Sequence, residues 1–234
     1  MCSDVIVFQK GTFTMKVRKT NSDTARNNII KISRKLFLEQ GYENTTVRQV
    51  LKKARLSTGS LYHFFKNKEE LLLCSLKDAL LEISSLTDSI AAKHHEPLLR
   101  YALGVALGIS EIFKYKHLFN FYNAIYKIES AENFMISLKV SRMKNLLKEL
   151  NLHFSDTEIH SRMLAIHGAT RALMLAKINK KLSANLEDIY SLIIRIALSE
   201  FNIPGNKIDN VIRLTTQIIQ ARSFSRNLAE KLKP

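Results

Sequence analysis

Helix breakers are scarce in this chain, with seven glycines and three prolines in 234 residues. Leu, Ile and Lys are abundant instead, and apolar residues recur at helical spacing along the chain. No alternating apolar–polar run, internal repeat or low-complexity tract interrupts that pattern. An all-α fold of about ten helices is the expectation. A hydrophobic content of 46% is enough for a sizeable core in one or two domains. No run of about 18 apolar residues offers a membrane span. The start, MCSDVIVFQK, has only a short apolar run and no basic leader, unlike a signal peptide. Two cysteines, Cys2 and Cys74, make a disulfide framework improbable, so a reducing, cytoplasmic compartment is expected. Met15 would itself make a plausible start, so residues 1–14 are expected to be dispensable.

The helices can be placed from caps and spacing. Ile29, Ile32, Ser33, Leu36, Phe37 and Gln40 share a face over 23–40, with Asp23 as cap and Gly41 past the end. Thr45 or Thr46 caps a short helix to about Ala54, with Val47, Val50, Leu51 and Ala54 on its apolar side. Ser57 caps a third, ending near Phe64 or Phe65. Asn67, three residues before Glu70, opens a fourth with a capping-box arrangement, running to about Ala92. Further helices are expected over 97–115, 118–128, 131–151 with Ser130 as cap, 155–180, 186–202 and 206–231. On the last, Ile208, Val211, Ile212, Ile218 and Ile219 should face inward. The expected division is an extension over 1–22, a small three-helix unit over 23–66, and a larger helical unit over 67–234.

Charge is unevenly spread. The net charge is +15, and residues 1–66 carry thirteen Lys/Arg against four Asp/Glu, whereas residues 67–203 carry seventeen against fifteen. A basic front end on a nearly neutral body suits a polyanion-binding module.

The two short helices around Arg55-Leu56-Ser57 form a helix-turn-helix candidate, whose second helix would enter the DNA major groove. Ser57, Thr58, Gly59 and Ser60 are short and polar, so the backbone can approach DNA closely. Leu61 and Phe64 face inward, whereas Tyr62 and His63 face out and can donate to phosphates or bases. Lys66 and Lys68 flank the cap of the next helix, where phosphate is also favoured. Arg48, on the first helix of the pair, can reach phosphate or a guanine edge.

The stretch TARNNIIKISRKLFLEQGYENTTVRQVLKKARLSTGSLYHFFKNKEELL, residues 24–73, resembles the DNA-binding domain of the tetracycline-repressor (TetR) family. The resemblance rests on the Phe-x-x-x-Gly-Tyr turn, Thr-Thr-Val-Arg, Ser-x-Gly-Ser-Leu-Tyr-x-x-Phe and Lys-x-Lys-Glu-Glu-Leu. It implies an all-α fold with an N-terminal helix-turn-helix domain of three helices and a helical ligand-binding and dimerisation domain. By position it implies DNA contacts from Thr46, Arg48, Ser57, Thr58, Gly59, Ser60, Tyr62, His63 and Lys68. It further implies a bacterial homodimer on a palindromic operator in double-stranded DNA, with a small-molecule effector. Two positions depart from the family: Arg55 stands where Gly is usual, and Leu51 where Ala is usual. Leu51 is expected to push the two helices apart or to alter how they cross. The helix after Pro204 is additional to the usual plan and is expected to cover the dimer interface or the pocket.

In the second half, GATRALMLAKINKK followed by LEDIYSLIIRIAL is similar to the family's dimerising helices. The residues agree: Ala165, Gly168, Ala169, Ala172 and Ala176 form a small-residue stripe that lets another helix approach closely. The middle helices are rich in aromatics and Met, as a core or an apolar pocket would be. Tyr122, Tyr126, His117 and His167 could give such a pocket its polar points.

Enzyme motifs are missing: there is no Gly-rich phosphate loop, His-Glu-x-x-His, Gly-x-Ser-x-Gly or Cys-His signature. No cofactor is expected. No metal is expected either, since His160 and His167 stand two helical turns apart. The reading is a DNA-binding transcriptional regulator, a repressor released by a small apolar or amphipathic ligand. The alternative is a helical dimer acting through protein contacts, with DNA binding lost or non-specific, suggested by Arg55 and Leu51.

Overall fold

The computed structural model describes residues 21–57, 63–114 and 116–221. Nine helices appear among the described residues and no strand. They are α1 (Asn21–Gln40), α2 (Val47–Ala54), α3 (Lys68–His94), α4 (Pro97–Lys114), α5 (Lys116–Ile125), α6 (Glu129–Glu149), α7 (Asp156–Ile178), α8 (Leu186–Ser199) and α9 (Gly205–Ala221). The chain falls into two compact units, one up to Ala79 and one from Leu80, with the division inside α3. No helix among the described residues is long and apolar enough to cross a membrane.

In the front unit, α1 buries Ile29, Ile30, Leu36, Phe37 and Leu38, and α2 adds Val50 and Leu51. Phe65, Leu71 and Leu72 complete this small core. Leu51 is only 4% exposed, so its larger side chain is accommodated within the core. Gly41 ends α1 at φ +86°, where a side chain would be strained. Asp23 lies in the first turn of α1, not at its cap, because the helix already includes Asn21.

Thr46 caps α2 with a complete capping box: its hydroxyl accepts from Gln49 N–H at 3.2 Å, and Gln49 Oε1 accepts from Thr46 N–H at 2.7 Å. At α3 the box is shifted. Asn67 Oδ1 accepts from Glu70 N–H at 2.9 Å, but Glu70 Oε2 accepts from Lys66 N–H at 2.7 Å, one residue further out. Ser130 does not cap α6. That helix begins at Glu129, and Ile128 occupies the cap position without a side-chain hydrogen bond. Capping boxes do start α7, from Ser155 to Glu158, and α8, from Asn185 to Asp188.

In the second unit α4 is central. Leu98, Leu99, Ala102, Leu103, Ala106 and Leu107 recur on one buried face. α4 packs on α5, α8 and α9, while α7 packs on α6 and α8. The additional helix α9 therefore covers α4 and α8, burying Ile208, Val211, Thr215 and Ile218. Ile212 and Ile219 are half-buried at its margins. Residues 222–231, expected to continue it, lie outside the described residues.

Five helices end on a left-handed residue that is not glycine: Arg55, His95, Asn151, Lys180 and Asn202. After α2, Leu56 N–H bonds Leu51 C=O at 3.1 Å and Arg55 N–H bonds Lys52 C=O at 3.3 Å. This paired pattern is a Schellman turn, which satisfies carbonyls the helix end leaves open. Its hydrogen bonds offset the cost of a side chain in the left-handed region, about 1 kcal/mol.

Candidate nucleic-acid interface

The front unit builds its turn region from side-chain contacts. Gln40 Nε2 donates to Asn44 C=O, Thr45 Oγ1 and Gln49 Oε1, tying the end of α1 to the start of α2. Lys53 pairs with Glu39 at 3.5 Å from the same side of α2. Thr46 and Arg48 are exposed at the first turn of α2. Ser57 is exposed just after the turn. Thr58, Gly59, Ser60, Leu61 and Tyr62, expected to contact DNA or to anchor the helix expected after the turn, lie outside the described residues. His63 is exposed, its ring edge-on to Phe64 at 5.0 Å, while Phe65 is 1% exposed. His63 thus faces outward as expected, whereas of the two phenylalanines Phe65 is buried and Phe64, expected inward, is only half-buried.

The two lysines beyond it differ. Lys66 is exposed. Lys68 is half-buried: its ammonium donates to Tyr42 C=O at 3.0 Å and lies 4.1 Å from the Tyr42 ring centroid. Lys68 thus fastens the start of α3 to the turn after α1. The Lys66 and Glu70 amides at this helix start are already bonded by Glu70 and Asn67, and Glu69 and Glu70 bring negative charge. An approaching phosphate would meet the lysine side chains more readily than these amides.

In the second unit, three of the four expected polar pocket residues converge. The Tyr122 hydroxyl donates to the Tyr126 hydroxyl at 2.8 Å. The Tyr126 ring stacks on His167 at 5.2 Å. Nothing is described of the His117 side chain. The sequence reading missed the charged groups that hold this cluster: His167 Nδ1 lies 2.9 Å from Lys139 Nζ, and its Nε2 lies 3.3 Å from Glu132 Oε1. Arg171 reaches the same Glu132 oxygen at 3.1 Å and lies over the Tyr126 ring. Burial and the neighbouring Lys139 charge push the His167 imidazole well below its ordinary pKa, so it is neutral. Burial lowers the Lys139 ammonium to about 8. A signal was available: Glu132 and Lys139 fall in line with Ile136, Val140 and Met143 on an otherwise apolar face of α6. A separate cleft of about 330 Å³ opens where α6 meets α7, lined by Lys144, Leu147, Lys148 and Phe154 among others, and none of the expected pocket residues lines it.

The stripe on α7 lies largely in the open. Ala165, Gly168 and Ala172 are exposed, and Ala169 and Ala176 half-buried. Leu164, Leu175 and, on α8, Leu192 are 42%, 37% and 44% exposed. A Cβ built on Gly168 would meet nothing within 4 Å, so packing within the chain does not demand glycine there. Among the described residues no three His, Cys, Asp or Glu side chains converge as a metal site would need.

The model of bacterial regulatory proteins of the tetR family matches residues 29–73. The HTH-type transcriptional regulator HbdR of Aromatoleum sp. (strain CIB) is 44% identical over 55 residues, 24% of this chain and 24% of that protein. The HTH-type transcriptional repressor KstR2 of Mycolicibacterium smegmatis is 28% identical over 92 residues, 39% of this chain and 44% of that protein. The match thus spans less than half the length of these curated relatives. The crystal structure of RolR with resorcinol aligns with a TM-score of 0.59 at 17% identity, over 82% of this chain and 94% of that one. SmeT, the repressor of the Stenotrophomonas maltophilia multidrug efflux pump SmeDEF, aligns at 0.53 and 16% identity, over 78% of this chain and 92% of that one. These structural likenesses show the fold.

Proposed function

We propose that the chain is a transcriptional repressor that binds a palindromic operator as a homodimer and leaves it when a small effector binds, a reading supported by the match of residues 29–73 to the tetR-family model. The observation that carries this reading is the front unit itself: a capped α2, an exposed His63 and a buried Phe65 flank the expected groove-reading segment. Thr46, Arg48, Lys66 and Lys68 would hold phosphates, and Ser57 to His63 would read or clamp the groove. The exposed Ala165–Gly168–Ala172 face, bordered by Leu164, Leu175 and Leu192, supports a two-fold dimer through α7 and α8.

The effector would be small and apolar or amphipathic, with Tyr122, Tyr126 and His167 as its polar points. Its binding would favour a subunit spacing that no longer fits two half-sites. α3 is one continuous helix from Lys68, beside the DNA-facing turn, to His94, and is the natural lever.

Replacing Tyr62 and His63 together by Ala tests the DNA part. Operator affinity should fall towards the non-specific level, a loss of roughly a thousandfold or more. Unchanged affinity would sink the assignment.

A further inference from the structure

We propose that Lys52 and Arg55 extend the contact of Arg48 into a phosphate-binding row along one flank of α2, so that this helix offers phosphates cations from its first turn to its C-terminal turn where it crosses the DNA backbone. This rests on the DNA-binding reading above and adds two residues to it.

α2 has two polar flanks, and the contacts tell them apart. Gln49 and Lys53, one turn apart, face α1: Gln49 takes the Gln40 amide and Lys53 pairs with Glu39. Arg48 and Lys52, also one turn apart, lie on the other flank, and Arg55 follows three residues later at the Schellman turn. All three are exposed, and none makes an ion pair among the described residues. The buried stripe of Val50 and Leu51 separates the flanks on the core side.

Three cations on a row ~10 Å long would be solvated at a cost in mutual repulsion. A DNA strand offers the complementary pattern, a phosphate every ~3.4 Å of helical rise. In a helix-turn-helix the first helix crosses that backbone. On the flank that faces α1, Lys53 is paired with Glu39, while Arg48, Lys52 and Arg55 on the opposite flank make no ion pair among the described residues.

Arg55 also provides a test with two opposing signs. It sits at φ 57°, where glycine is unstrained. Arg55→Gly should therefore raise the melting temperature while weakening DNA binding. Lys180 ends α7 at the same φ of 57° in the other unit, so Lys180→Gly should raise the melting temperature and leave DNA binding unchanged.

The experiment measures affinity of the full chain for a mixed-sequence duplex across a salt series. Wild type is compared with Lys52→Ala, Arg55→Ala, Arg55→Gly, Lys53→Ala and Lys180→Gly. Each lost phosphate contact lowers the slope of log K against log[salt] by about 0.9, and a dimer with both copies altered loses about twice that. The Lys52 and Arg55 variants should show this shallower slope, and Lys53→Ala and Lys180→Gly the wild-type slope. Wild-type slopes for both Lys52→Ala and Arg55→Ala, with wild type still binding in a salt-dependent way, would overturn the row. A wild-type chain with no salt-dependent DNA binding would overturn the row and the DNA reading together.

Discussion

The front unit and the body differ in how several of their arginines are placed. In the body, Arg100 pairs with Asp88 and Glu149, Arg162 with Glu158, Arg171 with Glu132 and Arg195 with Asp209. In the front unit, Arg48, Lys52, Arg55 and Lys66 are exposed with no ion-pair partner among the described residues. Composition gives the first hint, since only the front end is strongly basic, but arrangement makes it specific. Asp88, Glu132, Glu149, Glu158 and Asp209 of the body thus each face an arginine within the chain. The front unit leaves charge available to an outside polyanion, as a helix-turn-helix requires. The exposed surface of the body that stands out is apolar instead: the small-residue face of α7, edged with leucines.

The largest effect should come from attacking that apolar face. Leu164→Glu with Leu192→Arg would place charges where a second copy packs. Sedimentation should then show monomers at micromolar concentration, and operator affinity should drop at least ~100-fold, since a monomer holds one half-site. Leu81, 40% exposed on α3, is the control, and Leu81→Arg should leave the oligomeric state alone.

The buried cluster of the body gives the next effect. Burial holds the folded-state pKa of His167 below that of the unfolded chain. Between those two values the unfolded state binds more protons, so stability falls as pH falls through that window. The loss should be on the order of 2 kcal/mol, read as a falling melting temperature between neutral pH and about pH 4. His167→Gln should flatten that part of the profile.

A smaller effect belongs to the front unit. Thr46→Ala removes the hydroxyl that caps α2 and should cost about 1 kcal/mol in urea unfolding. The smallest comes from a paired cation of the body. Arg195 and Asp209 are both half-exposed or more. Arg195→Ala should therefore change stability by less than about 0.5 kcal/mol and leave the salt dependence of DNA binding untouched. A shallower DNA slope in that variant would erase the distinction between the two units.

Much of the fold was legible because helix starts have local signals. Thr46, Ser155 and Asn185 cap helices through hydrogen bonds made within three residues, and such contacts are written in the sequence. The ends were harder. His95, Asn151, Lys180 and Asn202 occupy left-handed positions without the glycine that would mark them. α8 accordingly ends at Ser199, three residues before the expected Asn202, and α6 begins at Glu129, two residues before the start that a Ser130 cap implies. The candidate site was legible where it depended on order along the chain, as for Arg48, His63 and Lys66. Lys68 was readable as a cation but not as the partner of Tyr42, a contact across 26 positions. Likewise Tyr126 and His167 stand 41 positions apart, and nothing local joins them. Their junction with Glu132, Lys139 and Arg171 depends on how α6 packs on α7, which no local pattern specifies.

The most direct test of the central claim is to incubate the purified chain with fragmented genomic DNA at about 150 mM salt, where surface charge is screened as in the cell, and to sequence what it retains. A few sharp peaks sharing a two-fold palindrome, with half-sites one helical turn apart or a multiple of it, are the expected result. Diffuse retention without a shared sequence, or none, would contradict the claim.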